Sequence, residues 1–236
     1  MNRPAHNPHS ARTPHPATVS AAACLSPRGS AHPRPSVRVL VIPGLRDSGE
    51  AHWQTWLQRQ YVDAARVTQH DWHRPELEAW SERIADTLAR SSRHTLWVAV
   101  AHSFGCLALA HHLAKHQARL QQQPDDAPRH GRIVAALMAA PADPVKFDLS
   151  AALPCHSLGL PLSVIGSEDD PWMPLDRARD WAHTWGGGFV NLGRVGHINT
   201  ESGFGPWPLA RHKVDHLVRQ QQRLHTHLCG LGCDTP

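Results

Sequence analysis

The 236-residue chain lacks any run of 18 or more apolar residues, so no membrane span is expected. Its five cysteines, Cys24, Cys106, Cys155, Cys229 and Cys233, are odd in number and irregularly spaced. That argues against a disulfide framework and predicts reduced thiols and a cytoplasmic location. Acidic residues are missing altogether from residues 1–36, which carry Arg3, Arg12, Arg28 and Arg34. Those four charges equal the whole formal net charge of +4. The rest of the chain is therefore formally neutral, without the basic footprint of a nucleic-acid binder. Large apolar residues are also scarce in residues 1–36, which hold seven prolines. Such a segment buries too little surface to offset chain entropy, so a disordered arm is expected there. No internal repeat is visible.

What is present begins at Val37. Apolar runs at 37–42, 95–100, 133–140, 162–165 and 189–192 read as strands, with a short one at 65–68. Helical patterns lie between them, over 50–60, 76–90, 104–117 and 174–185, and a final one begins near Gly205 and runs to about Arg223. Near-continuous apolar strands alternating with helices imply a mostly parallel sheet with helices on both faces, a three-layer α/β sandwich. One domain over 37–222 is expected, followed by a polar tail over 223–236. The tail carries His225, His227, Cys229 and Cys233, but zinc sites favour a tighter pattern and a chain end frays. An inert tail is the expectation.

The chemistry centres on Val100-Ala-His-Ser-Phe-Gly105, where a buried strand ends abruptly at Ser103. The pattern is that of a G-x-S-x-G nucleophile turn with Ala101 in place of the first glycine. Small flanking residues let strand and helix backbones approach while the hydroxyl is lifted clear. A base must take the serine proton, and among twenty histidines position has to decide. His197 follows the last strand; the side chain of His102, beside the serine, is expected to point away from it. A carboxylate must orient the base. Asp170, before Pro171, is favoured over Asp169, and Asp143 is the rival at an earlier strand end. Two backbone donors are needed for an oxyanion. Phe104 follows the nucleophile, and Leu45 follows Gly44 in the turn after the first strand. Trp53, Trp72 and Trp172 lie near strand ends and are candidates for lining a substrate pocket.

With these residues assembled, the chain resembles the small serine hydrolases of the YdeN and retinoblastoma-binding-protein-nine type, within the α/β-hydrolase superfamily. The resemblance covers roughly 37–220. It rests on Val39-Leu-Val-Ile-Pro-Gly44, His52-Trp53, Asp71-Trp72, Val100 to Cys106, Ser167-Glu-Asp-Asp-Pro171, Gly196-His-Ile-Asn199 and Glu201 to Trp207. It implies a triad of Ser103, Asp170 and His197, in the chain order of α/β-hydrolases, and a compact fold without a large cap domain. The activity implied is acyl transfer from small or short-acyl esters through an acyl-serine, with no metal or organic cofactor. An interaction module that keeps the fold with little turnover is the second reading, since a fold alone does not prove activity. The sequence names no protein partner.

Overall fold

Six parallel strands form one sheet in the order β2-β1-β3-β4-β5-β6. They are β1 (Ser36–Ile42), β2 (Ala65–Arg66), β3 (Thr95–Ser103), β4 (Arg132–Pro141), β5 (Leu162–Gly166) and β6 (Gly188–Asn191). The helices between and after them are α1 (Trp53–Gln58), α2 (Leu77–Ala89), α3 (Phe104–Gln122), α4 (Leu175–Thr184) and α5 (Pro208–Gly230). The structure is a computed structural model that describes residues 36–123 and 129–230. The expected arm, apart from its last residue, and the end of the tail, including Cys233, lie outside the described residues.

Strand pleating assigns the core to two layers. Side chains alternate across a strand. In β1, Val39 and Val41 therefore face one way and Leu40 and Ile42 the other. The first pair packs with Val98 and Val100 of β3 against Trp53 and Leu57 of α1 and Ala210 and Val214 of α5. The second pair packs with Ala99 and Ala101 against α2 and α3, through residues such as Trp80, Ile84, Phe104 and Leu107. The strands are apolar on both sides because helices cover both sides.

The order of the strands also locates a crevice. The chain steps from β1 outward to β2, then crosses back to β3 on the other side of β1, and continues in that direction to β6. Where that direction reverses, between the carboxyl ends of β1 and β3, the following segments part and leave space for a ligand. Among the described residues nothing large covers it. Residues 142–161, between β4 and β5, hold only two short 3₁₀ turns, Pro144–Phe147 and Ser150–Ala152.

Several element boundaries depart from the sequence reading, among them the end of α3, which continues to Gln122 rather than 117. The first helix begins at Trp53 rather than Glu50, because the His52 ring accepts a hydrogen bond from the Gln54 N–H and caps it there. The third strand runs through Ser103, paired to β4 with a shift of register between His102 and Ser103. The last helix continues to Gly230, beyond the expected stop near Arg223.

Candidate active site

Ser103 is the last residue of β3 and sits at φ 54°, ψ −127° before α3 begins. An L-residue is strained there, and such strain persists only where its surroundings impose it. Two glycines do so by close approach. A Cβ on Gly105 would lie 2.3 Å from the Pro43 carbonyl oxygen, so α3 starts directly against the end of β1. A Cβ on Gly44 would lie 2.7 Å from the Ser103 Cβ, so the turn after β1 presses on the serine itself. Ala101, fully buried, is small enough for the first position of the motif. Cys106, further along α3, is sealed, and burial pushes its thiol pKa up, so it remains a protonated thiol.

The His197 Nε2 lies 2.9 Å from Ser103 Oγ. Its Nδ1 lies 2.8 and 2.9 Å from the two carboxylate oxygens of Asp170, whose side chain is almost completely buried. An ionised carboxylate only accepts, so Nδ1 carries the proton and Nε2 presents its lone pair to the serine hydroxyl. The Trp172 N–H donates to Asp170 Oδ1 at 2.9 Å and steadies the carboxylate.

The two other aspartates have different tasks. Asp169 accepts from Ser167 Oγ and from the Gly196 N–H, and these bonds hold its carboxyl below the usual range. It thereby ties the loop carrying His197 to the end of β5. Asp143 caps the Val145 N–H and pairs with Arg177.

The His197 loop is pinned from several sides. Its N–H donates to Ser202 Oγ at 3.0 Å, and its carbonyl accepts from His102 Nε2 at 3.0 Å. The next carbonyl, of Ile198, accepts from Trp53 Nε1 at 2.9 Å. His102 is held by the His197 carbonyl rather than by the serine hydroxyl. Neither its grip on His197 nor the roles of Ser202 and Gln54 was read from the sequence. The Gln54 amide, fully buried, donates to the carbonyls of Ile42 and Val100 and accepts from Ser48 Oγ, lacing the ends of β1 and β3 together.

Gly44 to Asp47 form a turn closed by the Asp47 N–H on the Gly44 carbonyl at 3.2 Å, with Arg46 at φ 65°. The Arg46 N–H is spent on the Trp72 carbonyl at 2.9 Å. The N–H of Leu45, at the second turn position, has no acceptor among the described backbone bonds, and the N–H of Phe104 is free at a helix start. These two donors flank the serine turn. Arg66 pairs with Asp47 and donates to the Ser48 carbonyl, fixing the turn from behind.

Ser103 opens onto a cavity of about 280 Å³ whose lining includes Leu45, Arg46, Phe147, Trp172, His197 and Glu201. Of the three tryptophans expected to line it, only Trp172 does. Trp53 is completely buried, edge-on to Trp207, because its indole serves the core and the Ile198 carbonyl. Trp72 stands edge-on to Trp80 and contributes its backbone carbonyl instead.

A parallel sheet in this order, with a strained serine turn after β3 and its partners after β5 and β6, defines the chain as an α/β-hydrolase. It belongs to the serine hydrolase family, whose model it matches over residues 39–216. It is 30% identical to a protein from Pectobacterium atrosepticum described as a YdeN-like hydrolase, with 78% of this chain and 91% of that one covered at a TM-score of 0.66. It is 20% identical to the ydeN gene product of B. subtilis, covering 77% and 98% at a TM-score of 0.59. Est1E of Butyrivibrio proteoclasticus shares the fold at 12% identity, covering 80% and 88% at a TM-score of 0.53. No curated protein matches the chain.

Proposed function

We propose that the protein is a carboxylesterase-like serine hydrolase acting on small or short-acyl esters, with Ser103 as nucleophile, His197 as base and Asp170 as its orienting carboxylate. Ser103 Oγ attacks the ester carbonyl carbon as His197 Nε2 takes the hydroxyl proton. The carbonyl electron pair moves onto oxygen, which lies against the Leu45 and Phe104 N–H groups. Collapse breaks the ester C–O bond, the alcohol leaves with the proton from Nε2, and an acyl-serine remains. Water attacks the same carbon and gives its proton to Nε2. A second collapse releases the acid and returns that proton to Ser103. No step requires a metal or an organic cofactor. The unpaired thiols of Cys106 and Cys155 suit a reducing compartment such as the cytoplasm.

One observation carries this reading: an unbroken hydrogen-bonded chain from Asp170 through His197 to Ser103, opening onto an uncapped cavity. A fluorophosphonate probe should label the wild type, and Ser103→Ala should abolish labelling. The same substitution should lower turnover of p-nitrophenyl butyrate by about 10⁴-fold or more. Folded wild-type protein that neither labels nor hydrolyses would overturn the proposal and favour an interaction module.

A further inference from the structure

Two histidines besides His197 line the cavity, and their tautomers are set by what holds them. His52 is 5% exposed and caps α1. Its Nδ1 accepts the Gln54 N–H at 3.2 Å, so that nitrogen carries the lone pair and the proton of the neutral ring sits on Nε2. Burial, with the nearby charges of Arg66 and His197, lowers its pKa to about 4, so the ring is neutral near pH 7. His102 is likewise 5% exposed and is the mirror case. Its Nε2 faces the His197 carbonyl at 3.0 Å, and a carbonyl only accepts. The proton is therefore on Nε2, and Nδ1 holds the lone pair. Burial keeps this ring neutral as well.

The remaining nitrogens, Nε2 of His52 and Nδ1 of His102, form no described hydrogen bond. Neither is sealed, since among the described residues the only sealed side-chain nitrogen or oxygen without a partner is Gln69 Nε2. The rings stand edge to face with centroids 4.9 Å apart and no hydrogen bond between them. Both residues line the cavity that holds Ser103. One donor and one acceptor, neutral and fixed, thus belong to adjacent rings that line one cavity with the nucleophile. A hydroxyl group accepts one hydrogen bond and donates one, and it complements the pair.

We infer that His52 and His102 together recognise a substrate hydroxyl, and that the preferred substrates are esters bearing a free hydroxyl a few atoms from the scissile carbonyl. This rests on the hydrolase reading above. A site built to hydrogen-bond a hydroxyl discriminates strongly against the analogue that lacks it, because its own polar groups are then left unpaired.

The test compares methyl 3-hydroxybutyrate and methyl 2-hydroxybutyrate with methyl butyrate, and 2-hydroxyethyl butyrate with ethyl butyrate. The first set places the hydroxyl on the acyl side and the second on the alcohol side. At least one hydroxy ester should show a KM lower by about 10-fold than its parent. Its methyl ether, which accepts but cannot donate, should lose part of that gain. His52→Asn keeps an N-cap acceptor for α1 with a shorter side chain. It should raise the KM of the preferred hydroxy ester by a larger factor than that of the parent, bringing the ratio of the two toward one. Equal KM values for all hydroxy esters and their parents in the wild type would refute the inference, as would equal losses for both in the variant. Methyl butyrate turnover and fluorophosphonate labelling report separately on the hydrolase reading. Should no ester turn over, quenching of tryptophan fluorescence in Ser103→Ala by the same esters gives the hydroxyl preference as a ratio of Kd values. A ratio of one there also refutes it.

Discussion

Three aspartates end strands or strand-end loops near the serine, and their second contacts tell them apart. Asp170 meets His197 with both oxygens, Asp169 binds backbone at the His197 loop, and Asp143 is neutralised by Arg177. Asp170→Asn should therefore lower kcat by about 10⁴-fold, since an amide no longer enforces the Nδ1–H tautomer. Asp143→Asn should leave kcat within about fivefold and cost about 1–3 kcal/mol of stability, because Arg177 loses its partner at a buried end. Steady-state kinetics and urea denaturation of the two variants side by side read both effects. In the sequence Asp170 is favoured for its position before Pro171, which biases the residue to an extended form, and it is the carboxylate that contacts His197. The tasks of His52 and His102 were not legible there. A histidine's part in a site depends on which nitrogen its neighbours occupy, and Gln54 N and His197 O are fixed only by folding.

The site is also a property of how elements end. Gln54, on the short helix α1, donates to the carbonyls of Ile42, the last residue of β1, and of Val100, three residues before the serine on β3. Gln54→Leu would remove the buried amide donor from both carbonyls and leave Ser48 Oγ without its acceptor, at a cost of about 1–3 kcal/mol. It should also let the Leu45 turn drift from Ser103. A fall in the urea midpoint together with a drop in kcat of at least about tenfold is the expected result. Strands, helices and their sequence were readable from apolar runs, because both faces of a parallel sheet demand them. The expected pocket roles of Trp53 and Trp72 failed because nearness to a strand end does not say which way an indole points. The Ile198 carbonyl claims the first ring and Trp80 the edge of the second.

Across the whole molecule, His52, His102 and His112 are buried and held neutral, with the pKa of His52 and of His112 lowered to about 4, mainly by burial. In the unfolded chain each titrates near 6.5. Between these values the unfolded state binds more protons, so stability is full above about pH 6.5 and is lost as pH falls toward 4. His52 and His112 each contribute on the order of 3 kcal/mol to that loss. Denaturation midpoints should fall steeply from pH 6.5 to 4, and His112→Gln, between α2 and α3 and away from the serine, should flatten the acid limb. A limb unchanged in that variant would count against the assignment. The backbone of Ser103 has a further consequence. At φ 54° and ψ −127° the position suits glycine better than any residue with a side chain. Ser103→Gly should remove that strain and raise Tm by about 2–4 °C for a domain of this size, even as it removes the hydroxyl. Heat tolerance and turnover thus pull one codon in opposite directions. Selection for robustness alone would extinguish the enzyme at its first step.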